Sequence, residues 1–166
     1  MHVKIRRYQQ HDFNDYVAVL AKTWPMTSED SEETLTERLK TPCGKYEQIW
    51  AAEADDKAVG FMLIYFENPP TPPELGLKGE WLVIDWLDVH PDFQRQGLGT
   101  LLLNKAEEIA KGQNVFSLYT VTSVSNSTML SFSQKNGYQT SKRIKDFWGK
   151  GTGDAFVLTK TLRRKS

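Results

Sequence analysis

The chain has one cysteine, Cys43, so no internal disulfide can staple the fold. With no motif around it, the expectation is a reduced thiol rather than a nucleophile. There is no charge excess of either sign, with 21 Lys+Arg against 21 Asp+Glu. A nucleic-acid binder needs a basic surplus or a clustered basic face, so no nucleic-acid partner is expected. The basic clusters Lys4-Ile5-Arg6-Arg7 and Arg163-Arg164-Lys165 read as solvated ends. No apolar run approaches the roughly 18 residues of a membrane span, and Met1 to Ile5 lacks the apolar core of a signal peptide. A cytoplasmic protein with no membrane partner is the expectation. No His/Cys grouping has metal-ligand spacing, so no metal is expected, and no Ser/His/Asp order is convincing.

The 166 residues include five Trp, eight Phe and six Tyr, enough apolar mass for one globular domain, read as residues 1–166. Val3 and Ile5 alternate with basic residues as an edge strand does. Asp12 is placed to cap a helix bearing Phe13, Val17, Leu20 and Trp24 on one face, which Pro25 stops. Ser28 to Lys40 opens with Glu29, Asp30, Glu32 and Glu33, the charge a helix N-terminus favours. Its only apolar side is Leu35 and Leu39, so it should lie shallowly on the surface.

Residues 49–53 and 59–66 read as strands joined by a turn at 54–57. Glu67 to Gly79 holds Pro69, Pro70, Pro72 and Pro73, a stiff loop rather than helix or central strand. Trp81 to Val89 is a strand, apolar except for Asp85 and Asp88. Gly97 to Lys111 is a helix with Leu98, Leu102, Ala106 and Ile109 on one stripe, stopped by Gly112. A strand at 115–121, a helix at 126–136 and strands at 138–144 and 155–162 complete an α/β (α+β) domain with a central mixed sheet.

Asp88 to Thr100 carries the chemistry. A buried strand runs through Pro91 into a loop, and Gly97 and Gly99 open the long helix. The first amides of a helix lack intrahelical acceptors and sit at the positive end of its dipole. Glycines there admit a phosphate closely, and Gln94, Arg95 and Gln96 add side-chain donors. Two glycines alone would equally serve helix-on-strand packing. No Gly-x-x-x-x-Gly-Lys-Ser/Thr occurs, and the loop comes too late in the chain for a dinucleotide fold.

Leu87-x-Val89-x-Pro91 followed by Gln94-x-x-Gly97-x-Gly99 resembles the acetyl-CoA motif of the GNAT superfamily of N-acetyltransferases. Downstream, Asn126-x-x-Met129-x-x-Phe132-x-x-Lys135-x-Gly137-Tyr138 is similar to the following helix of that family. The segment Asp146 to Gly149, then Asp154-Ala155, is similar to members that acetylate protein N-termini. The resemblance implies a mostly antiparallel sheet of about seven strands flanked by about four helices. It implies acetyl-CoA as co-substrate and a primary amine as partner, either a protein or peptide N-terminus or a small molecule. It also implies site residues. The backbone of Leu87, Asp88 and Val89 would pair with the pantetheine arm. Main-chain amides over Gln94, Arg95, Gln96, Gly97, Leu98, Gly99 and Thr100 would hold the pyrophosphate. Asn126 would contact the pantetheine or cap the helix beside it, and Phe132 would join the cofactor contacts.

Many family members carry Tyr where this chain has Ser133, and that Tyr is thought to protonate the leaving thiolate. Ser133 is shorter and a weaker acid, so it would position a water, yield the role to another group such as Tyr119 or Tyr138, or let the thiolate leave with little help. A CoA thiol with a pKa of about 8.5 is a fair leaving group. The departure also leaves open a non-catalytic acyl-CoA-binding sensor or interaction module.

Asp85 aligns with an acidic position that some members use to deprotonate the amine. Its alternative is a structural hydrogen bond to backbone or to a tryptophan N–H. Asp85 and Asp88 are three apart and are not expected to form a paired carboxylate site. His90 could titrate usefully but more simply reads as a loop residue. Deprotonating a lysine amine at neutral pH costs roughly 4–5 kcal/mol, an α-amine about 1 kcal/mol, which favours the α-amine. Among Trp24, Trp81, Trp86, Phe147 and Trp148, most read as core. Trp148, in an expected hairpin loop, is the substrate-contact candidate. The acceptor is not named by these residues, and a homodimer is left open.

Overall fold

In a computed structural model, residues 1–24, 26–42, 44–67 and 73–164 are described. The expectations for Pro25, Cys43, Pro69, Pro70, Pro72 and Lys165 lie outside those residues. The order is β1 (Val3–Arg7), α1 (Phe13–Thr23), α2 (Ser28–Lys40), β2 (Lys45–Ala54), β3 (Lys57–Glu67), β4 (Trp81–Val89), α3 (Leu98–Gly112), β5 (Ser117–Ser123), α4 (Ser127–Lys135), β6 (Gln139–Ile144) and β7 (Ala155–Thr161). That is the succession the sequence predicts. The strands form one mixed sheet in the order β1-β2-β3-β4-β5-β7-β6. β4 and β5 are parallel, whereas β1–β2, β5–β7 and β6–β7 are antiparallel. By contact density the chain divides into two compact units, residues 1–65 with 85–106 and residues 66–84 with 107–166.

In the first unit, β2 and β3 meet at a two-residue turn with Asp55 and Asp56 at φ 49° and 68°. Left-handed backbone at both positions matches the twist of a hairpin, and aspartate tolerates it. The rings of Tyr16 and Phe61 stack at 4.1 Å, and both are fully buried. This corrects the apolar stripe expected for α1. Tyr16, Val19 and Leu20 are its buried residues, while Trp24 is 40% exposed. A tyrosine that stacks inward turns the helix by part of a residue step from the face that aliphatic spacing suggests.

Asp12 does not cap α1 with its side chain. It is buried and accepts from Arg6 Nη1 and Nη2 at 2.8 and 2.9 Å and from the Gln9 amide at 2.8 Å. Arg6 Nε also donates to Glu53 at 2.6 Å. The N-terminal basic cluster is therefore not simply solvated, because Arg6 is the counter-ion of two carboxylates. α2 follows its expected bounds. Thr27 Oγ1 accepts from the Asp30 amide at 3.0 Å, Leu35 is fully buried and Leu39 is 36% exposed.

In the second unit, β4 pairs with β5 at Leu82↔Leu118 and Val83↔Tyr119, and Thr120 Oγ1 donates to the Ile84 carbonyl at 2.8 Å. Gly137, at φ 89°, ends α4 as the sequence predicts. The Tyr138 amide returns to the Ser133 carbonyl at 3.0 Å, satisfying an orphan carbonyl of the last turn. Lys160 Nζ ties β7 to Glu107 at 2.6 Å and to the Asn136 carbonyl at 2.9 Å.

Burial alone would raise the Asp12 pKa, but the hydrogen bonds from Arg6 and Gln9 hold it below its ordinary value. A depressed folded pKa gives stability that is present above the unfolded value of about 4 and is lost as pH falls through the folded one. Asp12→Ala leaves part-buried Arg6 with Glu53 as its carboxylate partner among the described residues. It should cost about 3 kcal/mol at pH 7 in a denaturant titration, with the difference from wild type shrinking below about pH 4.

Candidate active site

β3 and β4 approach closely because Gly60 has no side chain. A Cβ there would lie 3.3 Å from Val89 Cγ2 and 3.4 Å from the Asp88 carbonyl. The His90 amide donates to the Val59 carbonyl at 2.8 Å, so His90 and Asp88 direct their peptide groups at β3. Peptide direction alternates along a strand, which puts the amides of Leu87 and Val89 on the opposite edge. The chain then makes a single 3-10 turn at Pro91–Phe93, where His90 Nδ1 accepts from the Asp92 amide at 3.2 Å.

Gln94 Nε2 donates back to the Val89 carbonyl at 2.9 Å, and Gln96 Nε2 to the Asp92 carbonyl at 3.4 Å. Both glutamine side chains, expected as ligand donors, hold the loop itself. Arg95 and Gly97 have φ 62° and 83°. The Leu101 amide donates to the Gly97 carbonyl at 3.0 Å, which makes Gly97 the residue that opens α3. The amides of Leu98, Gly99 and Thr100 are then first-turn groups without intrahelical acceptors. No acidic residue stands in that turn, and a Cβ built on Gly97 meets nothing within 4 Å. The turn is an exposed set of main-chain donors at a helix N-terminus, suited to an anion.

The two carboxylates of β4 take separate partners. Asp85 accepts from Arg38 Nη2 of α2 at 3.1 Å, and Arg38 Nη1 also donates to Glu47 at 3.2 and 3.3 Å. Partial desolvation pushes the Asp85 pKa above its ordinary value, against the pull of Arg38, although its side chain stays 32% exposed. The tryptophan N–H weighed for Asp85 goes instead to Asp88. Trp24 Nε1 donates to Asp88 Oδ1 at 2.8 Å and Thr23 Oγ1 does so at 3.2 Å. Asp88 is 8% exposed. Burial raises it to about 6, more than those two donors lower it. Among the described residues, Asp88 Oδ2 and Tyr16 OH are buried without a hydrogen-bond partner.

The remaining sequence-predicted residues belong to the second unit. Asn126 Oδ1 accepts from the Met129 amide at 3.1 Å, the capping role left open for it. Phe132 is half-buried and Ser133 is 2% exposed in α4. Tyr138 has a buried hydroxyl without a hydrogen-bond partner among the described residues, and burial raises its pKa. Tyr119 OH donates to Glu67 at 2.9 Å. Both are core residues. Trp148 is 53% exposed in the β6–β7 loop, edge-on to Phe147 at 5.1 Å.

Sequence reasoning missed Arg38, Glu47, Thr23 and Gly60 as supports of the site. Arg38 and Thr23 act across 47 and 65 residues of chain and Glu47 acts through Arg38, and no local pattern marks such contacts. Gly60 carried a signal, since a glycine inside an apolar strand marks a close backbone approach.

The family model for the acetyltransferase (GNAT) family matches residues 11–138. The chain belongs to the GNAT family and is an acetyl-CoA-dependent acetyltransferase. No curated protein sequence matches the chain significantly. Among solved structures, a GNAT-family protein from Desulfovibrio desulfuricans aligns with TM-score 0.76 and 23% identity over 98% of this chain and 100% of that one. A GNAT family acetyltransferase from Elizabethkingia anophelis with acetyl-CoA bound aligns with TM-score 0.67 and 20% identity, over 96% of this chain and 98% of that one. Arabidopsis thaliana Naa50, in complex with the bisubstrate analogue CoA-Ac-MVNAL, aligns with TM-score 0.71 and 17% identity, over 98% of this chain and 100% of that one. At these identities the alignments show the shared fold.

The raised Asp88 pKa has a testable sign. A folded pKa of about 6 means stability that is full below the unfolded value of about 4 and is lost as pH rises through 6. Asp88→Asn keeps an acceptor for Trp24 and Thr23 and removes the buried charge. The variant should be more stable than wild type by roughly 2–3 kcal/mol at pH 8, and the gap should close toward pH 4 in denaturant titrations.

Proposed function

We propose that this chain is a cytoplasmic N-acetyltransferase, one catalytic domain over residues 1–166, that moves the acetyl group of acetyl-CoA to a primary amine by direct attack in a ternary complex. One observation carries the reading. β4 ends in a turn, left-handed at Arg95 and Gly97, that offers the first amides of α3 with no acidic residue beside them. The arrangement suits a diphosphate over Gln94 to Thr100, and the outward amides of Leu87 and Val89 suit an extended pantetheine arm added as a strand. Asn126, Phe132 and Ser133 are assigned to the site on the family resemblance alone.

The amine nitrogen adds to the thioester carbonyl carbon, the C–S bond breaks, and sulfur leaves as thiolate. An amide near Val89 donates to the carbonyl oxygen as charge gathers on it. Asp85 takes the amine proton. Its raised pKa supports that role, and Arg38 keeps the carboxylate oriented. Ser133 offers little acid strength, so the thiolate departs on its own pKa of about 8.5. An α-amine, needing only about 1 kcal/mol to deprotonate at neutral pH, suits a site with one modest base. The Naa50 neighbour, bound to an analogue that joins CoA to a peptide, supports a peptide N-terminus as acceptor.

Saturating acetyl-CoA, at about 100 times its dissociation constant, should add about 2.7 kcal/mol and raise Tm by several degrees. Gly97→Glu should abolish that shift by setting a carboxylate against the diphosphate. Gly97→Ala carries the same backbone strain without charge and should retain most of it. Equal binding by both variants would remove the turn from the cofactor site. Wild-type kcat/KM should rise with pH as Asp85 ionises. Asp85→Asn should lose that acidic limb and fall by about 10²-fold or more. An unchanged profile would exclude Asp85 as base.

A further inference from the structure

Arg38 stands between two carboxylates from different strands. Its Nη2 donates to Asp85 of β4 at 3.1 Å, and its Nη1 to the two oxygens of Glu47 of β2 at 3.3 and 3.2 Å. Nη1 also reaches the Thr41 carbonyl at 3.3 Å, and the guanidinium lies 5.9 Å from the centre of the Trp86 ring. The side chains of Arg38 and Glu47 are 11% and 13% exposed, so solvent screens this pair far less than an ion pair in open water. Asp85 is the more accessible of the two carboxylates.

A carboxylate can take both arms of a guanidinium fork, as Asp12 does with Nη1 and Nη2 of Arg6. Arg6 is shared as well, but Glu53 binds it through Nε and leaves that fork whole. Asp85 receives one arm of Arg38, because Glu47 and Thr41 hold the other. The two aspartates are accordingly shifted in opposite directions, Asp12 below its ordinary value despite burial and Asp85 above it. Desolvation is the largest influence on Asp85; Arg38 opposes it, and the negative charge of Glu47 adds to it. Around the cluster, Glu33 and Glu37 of α2 line the same open groove as Arg38 and Trp86, with Glu37 paired to Lys40. From α1 the fully buried Tyr16 phenol feels both Asp85 and Arg38, and burial keeps it protonated. Tyr46, the residue before Glu47, has φ 54°, a left-handed conformation uncommon for an aromatic residue and of the kind that gathers at functional sites.

We propose that Glu47 is a positioning residue of the transfer site: by holding one arm of the Arg38 guanidinium it leaves Asp85 a single charged hydrogen bond, and so keeps Asp85 the stronger base toward the amine. The inference rests on the reading of Asp85 as base given above. The amine still gives its proton to Asp85 and its lone pair to the thioester carbon, and Glu47 touches neither.

Glu47→Gln tests it, since glutamine keeps an oxygen for Arg38 Nη1 and loses the charge. Carbon NMR of labelled aspartate carboxyls, with the Asp85 signal assigned by its loss in D85N, follows the titration of Asp85 directly. In E47Q that titration should move to lower pH by about half a pH unit. With acetyl-CoA and the peptide Met-Val-Asn-Ala-Leu, the sequence joined to CoA in the Naa50 neighbour's analogue, the acidic limb of kcat/KM should move the same way. Its plateau should fall about twofold, as a weaker base requires. Lost packing alone would lower the plateau and leave the limb in place. A thermal melt with and without acetyl-CoA checks that the fold and the donor site are kept. An Asp85 titration that stays in place, or moves to higher pH, overturns the proposal whatever the rates do. If D85N loses the acidic limb while E47Q leaves the titration unmoved, this inference falls and the base reading stands. If D85N keeps the limb, the base reading fails and this inference with it.

Discussion

Peptide groups along an extended strand point alternately to its two edges, and in β4 that alternation sets the rest of the site. The His90 amide is committed to Val59, so Leu87 and Val89 must turn theirs away from β3. Gly60 lets the two strands come close enough to fix that register. The Val89 carbonyl on the far edge is taken by Gln94, which holds the following turn at the strand end. From there the left-handed residues Arg95 and Gly97 deliver the chain into α3 with its first amides open. A one-residue slip in β4 would exchange the edges and remove the outward amides, however well the loop were made.

Electrostatic environment then separates two carboxylates that look alike in sequence. Asp85 is bridged to a guanidinium that it shares with Glu47. Among the described residues, the donors to Asp88 are neutral, an indole and a hydroxyl. Neutral donors in a buried place do not repay the desolvation of a charge as a cation does, so Asp88 is the one raised to about 6. Asp12 shows the opposite outcome in the same unit. Its side chain is also buried, but the bidentate fork of Arg6 holds its pKa below the ordinary value. The same residue type is thus shifted in opposite directions by its surroundings.

Much of the fold was legible because its signals are local. Acidic charge marked the first turn of α2 and a continuous apolar run marked β4, while Gly137 and Asn126 marked the two ends of α4 because their backbone chemistry has few substitutes. The errors fell where a tertiary contact outbid a local one. Asp12 has the sequence position of a helix cap, yet an arginine from β1 claims its carboxylate. Tyr16 lay outside the aliphatic stripe of α1 and is fully buried, because Phe61 offers a face to stack on. Gln94 and Gln96 have the donors a phosphate wants, and the loop uses them for itself.

By itself the sequence determined the succession of elements and the composition of the strand-turn-helix segment from Leu87 to Thr100, because turns, caps and periodicity depend on residues a few positions apart. It also carried the resemblance that the family match bears out. Only the tertiary structure decided which partner each carboxylate of β4 receives, since Arg38 lies 47 residues from Asp85 and Trp24 lies 64 from Asp88. The energy of such pairs depends on burial and on separation in space, and neither is a property of position along the chain.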